Sequence, residues 1–150
     1  MVVDKSIING IIIGYVKAMK KHVQDSTETI RIENIYNFIP SQIGNKSGKF
    51  QYAKINKDAR SKNYESALNW LLASKIVNRI CLIDSVNIPP KAYENTDCFK
   101  LFLSDVGILT TILKINYADI ILDKDFIYKG EIVENYVDQQ LRNNNNQLYY

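Results

Sequence analysis

The sequence predicts a mainly α-helical fold carrying one small β-ribbon, an α+β arrangement, and three observations predict it. Tyr64, Ala67, Leu68, Leu71 and Leu72 fall at i, i+3, i+4, i+7 and i+8, one apolar stripe on a 3.6-residue repeat. Directly after it, VNRICLID alternates, with Val77, Arg79, Cys81 and Ile83 on one face and Asn78, Ile80, Leu82 and Asp84 on the other. Phe99, Leu101 and Leu103 alternate in the same way with Lys100, Phe102 and Ser104. Between the two runs, SVNIPPKAYENTDC suits a long hairpin loop, because Pro89 and Pro90 cannot donate to a strand ladder. A helix running straight into such a ribbon has the outline of a winged helix-turn-helix, here with extra N- and C-terminal helices.

The elements follow in order. Asp4 to Lys21 reads as a first helix with a broad apolar face of Ile7, Ile8, Ile11, Ile12, Tyr15, Val16 and Met19. Gly10 and Gly14, four apart within it, lower helix propensity and allow close packing. A Ser or Thr of QDSTET is expected to cap the next helix, Ile30 to Ile43, whose Ile32, Ile35, Tyr36 and Ile39 are apolar. Pro40 is expected to kink or end that helix. QYAKINKDA reads as a short helix or turn placing the Arg60–Ile76 helix. After the ribbon, Asp105 is expected to cap VGILTTILKI. Tyr128 to Arg142 reads as a last helix with Ile132, Val133, Tyr136, Val137 and Leu141 on one face. NNNN breaks it, and LYY reads as the start of a strand. Residues 1–114 are expected to form the winged helix-like domain and 115–150 a helical extension.

Composition bounds the function. At 150 residues, with 46% hydrophobic and 23% charged content, the chain is long enough to bury a core. No run of about 18 apolar residues suggests a membrane span, and the isoleucine-rich start precedes its basic residues, the reverse of a secretory signal. A cytoplasmic location is expected, with Cys81 and Cys98 as buried free thiols although a disulfide between neighbouring strands is conceivable. His22 stands alone among Lys20, Lys21 and Asp25 and reads as an exposed helix end; no metal or cofactor site is expected. GNKSGKF is not a phosphate loop, since Gly44 and Gly48 enclose three residues and Phe50 follows Lys49.

The net charge of +3 is unevenly spread. From Gly44 to Arg79 eight basic residues face only Asp58 and Glu65, a local +6, so the remainder carries −3. A basic segment around a candidate recognition helix is what phosphate binding requires. Arg60, Lys62, Asn63, Ser66 and Asn69 occupy the N-terminal, non-core side of that helix and could reach base edges of double-stranded DNA. Lys49, Lys54, Lys57, Lys75 and Arg79 would contact phosphates, which positions a protein without reading sequence. Trp70 reads as an aromatic at the core boundary rather than a stacking platform.

IPSQIGNKSGKFQYAKI, YESALNWLLASKIV, PPKAY, FKLFLSDVGIL, KGEIVENYVDQQL and LYY occur in this order. Together they resemble the C-terminal domain of unknown function that follows the ATPase core in a group of bacterial and archaeal AAA+ superfamily proteins. The resemblance implies a P-loop ATPase module elsewhere in the parent protein, with ATP and Mg bound there and not in this chain. It also implies that the last helix opens a PD-(D/E)XK nuclease-like fold, with Glu134 as its first acidic residue. The remaining Asp and Glu-x-Lys would come from strands beyond LYY, so no catalysis is expected of this chain. The alternative to DNA binding is a protein-interaction module that couples the ATPase core to the nuclease-like domain, with self-association left open and no membrane contact.

Overall fold

The computed structural model describes residues 5–43, 48–122, 124–144 and 146–150. Asp4 and the 44–47 stretch with Lys46 lie outside the described residues. Among the described residues the chain is mostly helical, with six α-helices and one two-stranded antiparallel sheet. In order these are α1 (Lys5–His22), α2 (Ser26–Ile43), α3 (Ser61–Ala73), β1 (Val77–Ile83), β2 (Glu94–Leu103), α4 (Val106–Ile112), α5 (Tyr117–Ile121) and α6 (Lys129–Asn143). No helix among the described residues is long and apolar enough to cross a membrane.

The stripe on α3 is the centre of the core. Tyr64, Ala67, Leu68 and Leu71 are buried against Ile32, Ile35, Tyr36 and Ile39 of α2. Trp70 and Leu72 pack at the edge of the same cluster. Helix α1 contributes less than its sequence suggests. Met19 is buried and Ile8, Ile12 and Tyr15 pack on the core, but Ile7 and Ile11 face solvent. A Cβ added at Gly10 or Gly14 would meet nothing, so these glycines mark an open face rather than a close helix approach.

Helix α2 starts four residues before its predicted start, because Asp25 caps it. Its Oδ1 accepts from the Thr27 amide at 2.8 Å, a position a short carboxylate fills as well as a hydroxyl. Pro40 is buried in the last turn and the helix continues to Ile43, since only one intrahelical donor is lost there. The connection to α3 is anchored rather than loose. The amide of Gln42 clamps the backbone of Gln51, accepting from its N–H at 2.7 Å and donating to its carbonyl at 3.2 Å. The Phe50 N–H then donates to the Phe99 carbonyl at 2.8 Å, along the outer edge of β2.

Helix α3 ends in a Schellman motif. Ile76 N–H donates to the Leu71 carbonyl and Lys75 N–H to the Leu72 carbonyl, with Lys75 left-handed at φ 57°. Helix α4 repeats it, with Ile115 N–H to Thr110, Lys114 N–H to Thr111, and Lys114 at φ 56°. A side chain in this region costs roughly 1–2 kcal/mol. Glycine relieves that strain but loses roughly 0.4–1 kcal/mol through a freer unfolded chain. Lys114→Gly is therefore expected to raise stability by about 0.5–1 kcal/mol in urea melts; a loss would show that the lysine side chain has a role.

The ribbon pairs as its alternation predicts. Val77 lies opposite Leu103, Arg79 opposite Leu101 and Cys81 opposite Phe99. Beyond Cys81 the register shifts, and Thr96, Asp97 and Cys98 bulge out before Leu82 meets Asn95. Val77, Cys81, Phe99, Leu101 and Leu103 close the core beneath α2 and α3. Ile80 and Phe102, on the opposite face, are buried as well. Asp105 caps α4 as expected, its Oδ1 accepting from Ile108 N–H at 3.1 Å. Tyr149 bridges in parallel to Cys81, so LYY adds to the free side of β1. Cys81 is buried, Cys98 half-buried, and both thiols are free. Burial pushes the Cys81 thiol up to about 11, which keeps it protonated and unreactive at neutral pH.

Helix α6 is turned over relative to its apolar pattern. Ile132 is buried, but Val133, Tyr136, Val137 and Leu141 face solvent, at 40–53% exposure. Asn135 and Asp138 face inward instead, at 0% and 2%. The reason lies in what α6 packs upon, which is strand backbone in need of polar partners. The Asn135 amide accepts from Leu103 N–H at 3.1 Å and donates to Leu103 carbonyl at 2.9 Å. Gln139 accepts from Val106 N–H at 3.0 Å.

Candidate functional site

The exposed face of α3 and the adjoining ribbon form a groove of about 530 Å³. Its floor is aromatic. Phe50 stacks on Phe99 at 6.0 Å and meets Tyr52 edge-on at 5.1 Å, and Tyr52 leans on Tyr64 at 5.8 Å. The Arg79 guanidinium lies over the Phe99 ring at 5.7 Å, where the ring quadrupole attracts it. Burial pushes the Tyr52 hydroxyl up to about 12, with Arg79 opposing the shift and Glu65 adding to it. Lys62 and Asn69 line the α3 wall, together with Glu65, and Asp97 of the bulge stands on the other. Two cations thus face two carboxylates, and the groove carries little net charge.

The predicted binding residues fall in three places. Arg60, Lys62, Asn63, Ser66 and Asn69 are all exposed on α3 or at its start, as the periodicity requires. Lys54 and Lys57 are exposed just before it, and Arg60 donates back to the Lys57 carbonyl at 3.2 Å. Lys75 stands at the opposite end, about 20 Å away along a 13-residue helix. Lys49 lines a separate cavity of about 350 Å³ with Lys100, Glu131 and Glu134. There Glu134 is held by the Lys100 ammonium at 2.5 Å, and Lys100 also lies over the Tyr150 ring at 5.0 Å. Among the described residues no three His, Cys, Asp or Glu side chains converge on a point that would hold a metal ion.

A third cleft, of about 560 Å³, opens between the C-terminal ends of α3 and α6. It is lined by Lys75, Asn78, Arg79, Ser104, Gln139 and Arg142, among others, and no carboxylate is on its wall among the described residues. Beneath the wall the buried Asp138 accepts from Arg142 Nε at 2.7 Å and from Asn78 Nδ2 at 2.8 Å. Arg142 Nη2 donates to the Arg79 carbonyl at 2.7 Å. Sequence reasoning selected Lys75 and Arg79 from this cleft but not Arg142, Asn78 or Gln139. The available signal was Asp138 and Arg142 at i, i+4, a spacing that pairs opposite charges on one helix face.

A family model described as Domain of unknown function (DUF8612) matches residues 4–119. The match runs from α1 through the ribbon and α4 into α5, and α6 lies outside it. No curated protein and no solved structure matches the chain.

Proposed function

The chain belongs to the DUF8612 family, and on that premise we propose that it is a non-catalytic winged-helix module that binds double-stranded DNA. Helix α3 would enter the major groove, and the ribbon with its loop would serve as the wing. The observation that supports this most directly is the exposed face of α3. Lys62, Asn63, Ser66 and Asn69 stand together there, with donors for base edges and Arg60, Lys57 and Lys54 beside them for phosphates. The ribbon begins four residues after α3 ends, so α3 and the ribbon would meet one duplex from a single side.

Fluorescence anisotropy with a labelled duplex tests the reading. Binding is expected at low salt, weakening as salt rises because phosphate contacts release counterions. Charge reversal at Arg60 and Lys62 together should weaken binding at least about tenfold and flatten the salt slope by about two. No binding at low salt, or binding indifferent to both reversals, refutes it.

A second reading is favoured by the outward stripe of Val133, Tyr136, Val137 and Leu141 on α6. Such a patch on a monomer marks a contact surface. In that reading the module docks on an ATPase core of the kind the sequence resemblance implies and links it to a nuclease-like domain. Association with a separately expressed ATPase core, lost on Val137→Glu, is the expected result; no association would count against it.

A further inference from the structure

The cleft between the C-terminal ends of α3 and α6 differs from the groove beside α3 in one respect that decides its chemistry. Two cations, Lys75 and Arg142, contribute their charge to it, the Arg79 guanidinium lying instead over the Phe99 ring in the groove beside α3, and among the described residues the carboxylate that meets Arg142 is the buried Asp138. The local charge is therefore +1. Two helix C-termini oppose it, each equivalent to roughly half a negative charge, about −1 in all. Much of that opposition is already met, because the last carbonyls of α3 accept from Ser74, Lys75 and Ile76 and those of α6 from Asn144 and Asn146. The cleft keeps a positive charge of less than about one unit, carried by Lys75, with no carboxylate among its described lining residues. In the groove beside α3, by contrast, Glu65 and Asp97 cancel Lys62 and Arg79.

We propose that this cleft is an oxyanion site that takes a phosphate group. Arg142 is its fixed donor. Asp138 and the Arg79 carbonyl occupy Nε and Nη2, which holds the guanidinium plane in place before any ligand arrives. Among the described residues Nη1 has no hydrogen-bond partner, and the Lys75 ammonium, exposed on the facing wall, has no ion pair. Asn143 and the Gln139 amide add neutral donors on the same side as Arg142. A preset planar fork opposite a mobile ammonium suits a tetrahedral, multiply charged oxyanion better than a carboxylate, which the fork alone would satisfy. The phosphate could belong to a nucleic-acid backbone or to a small phosphorylated ligand. The site stands on residues other than the exposed face of α3, so the DNA reading and this one can fail separately.

The test is titration of the full chain with inorganic phosphate, followed by nitrogen-edited NMR. Shifts at the Arg142 Nε–H and at the Lys75 and Asn78 amides are expected, saturating in the millimolar range or below. Lys75→Gln, an exposed change, should weaken them several-fold; Arg142→Lys, which keeps the charge but loses the fork, should weaken them further. A parallel arm measures duplex binding. A salt slope lowered by about one in Lys75→Gln assigns the phosphate to a nucleic-acid backbone. Phosphate shifts with an unchanged duplex slope support the site and assign it to a small phosphorylated ligand. Absence of shifts at Arg142 and Lys75 in the folded wild-type protein overturns the proposal, even if reversal at Lys62 still abolishes duplex binding.

Discussion

Asp138→Ala is expected to destabilise the protein by about 2–4 kcal/mol, somewhat below the roughly 3–5 kcal/mol for breaking a fully enclosed ion pair. The carboxylate is 2% exposed and serves two donors from different elements, Arg142 of α6 and Asn78 of β1. Its removal strands a guanidinium whose side chain is only 29% exposed, and it leaves the Asn78 amide without its acceptor. The discount reflects the water that Arg142 still reaches. For a domain of this size the melting temperature should fall by about 5–15 °C. Replacing both partners, with Arg142→Met added to Asp138→Leu, should recover much of the loss, because an apolar pair of similar volume avoids desolvation. Thermal and urea melts of the single and double variants give the coupling directly. A single-variant loss under about 0.5 kcal/mol would mean that α6 is not held to the ribbon in this way.

Asn135→Ala should cost a similar amount, about 2–4 kcal/mol, through a different mechanism. The side chain is fully buried and engages both backbone groups of Leu103, so truncation orphans one buried donor and one buried acceptor. Each orphan costs about 1–3 kcal/mol. Asn135→Asp is the sharper control. It keeps the shape and the acceptor for Leu103 N–H, yet sets a second oxygen against the Leu103 carbonyl. If Asn135→Asp proves as stable as wild type, the two-way clamp is not what holds α6.

Much of the fold was legible because the sequence advertises it with periodicity. The α3 stripe turns inward and the alternating runs Val77 to Cys81 and Phe99 to Leu103 pair as a ribbon, since these elements bury apolar faces against other apolar faces. Helix α6 was legible as a helix but not in orientation. Four of the five residues on its apolar face point outward. A count of apolar positions assumes that a helix packs by oil alone, whereas Asn135 of α6 partners the Leu103 backbone and Asp138 meets the Asn78 side chain of β1. The isoleucines of α1 mislead in the same direction, with Ile7 and Ile11 exposed. The candidate residues were legible as exposed positions rather than in their grouping. Exposure of Lys62, Asn63, Ser66 and Asn69 follows from the stripe opposite them. That Lys49, Lys62 and Lys75 serve three separate hollows does not follow, because it depends on the long anchored return from α2 and on the angle at which α6 comes back.

A two-stranded sheet has two bare margins, and unpaired margins invite strands from other molecules to add on. Here both are partly occupied from within. On the β2 side Phe50 takes the Phe99 carbonyl and Asn135 takes Leu103; on the β1 side Arg142 takes the Arg79 carbonyl while Tyr150 pairs with Cys81 and Ile83. Each of these bonds takes an outward backbone group away from an incoming strand, which disfavours edge-on growth and leaves side-chain surfaces, where a single substitution can tune contact, as the better route to assembly.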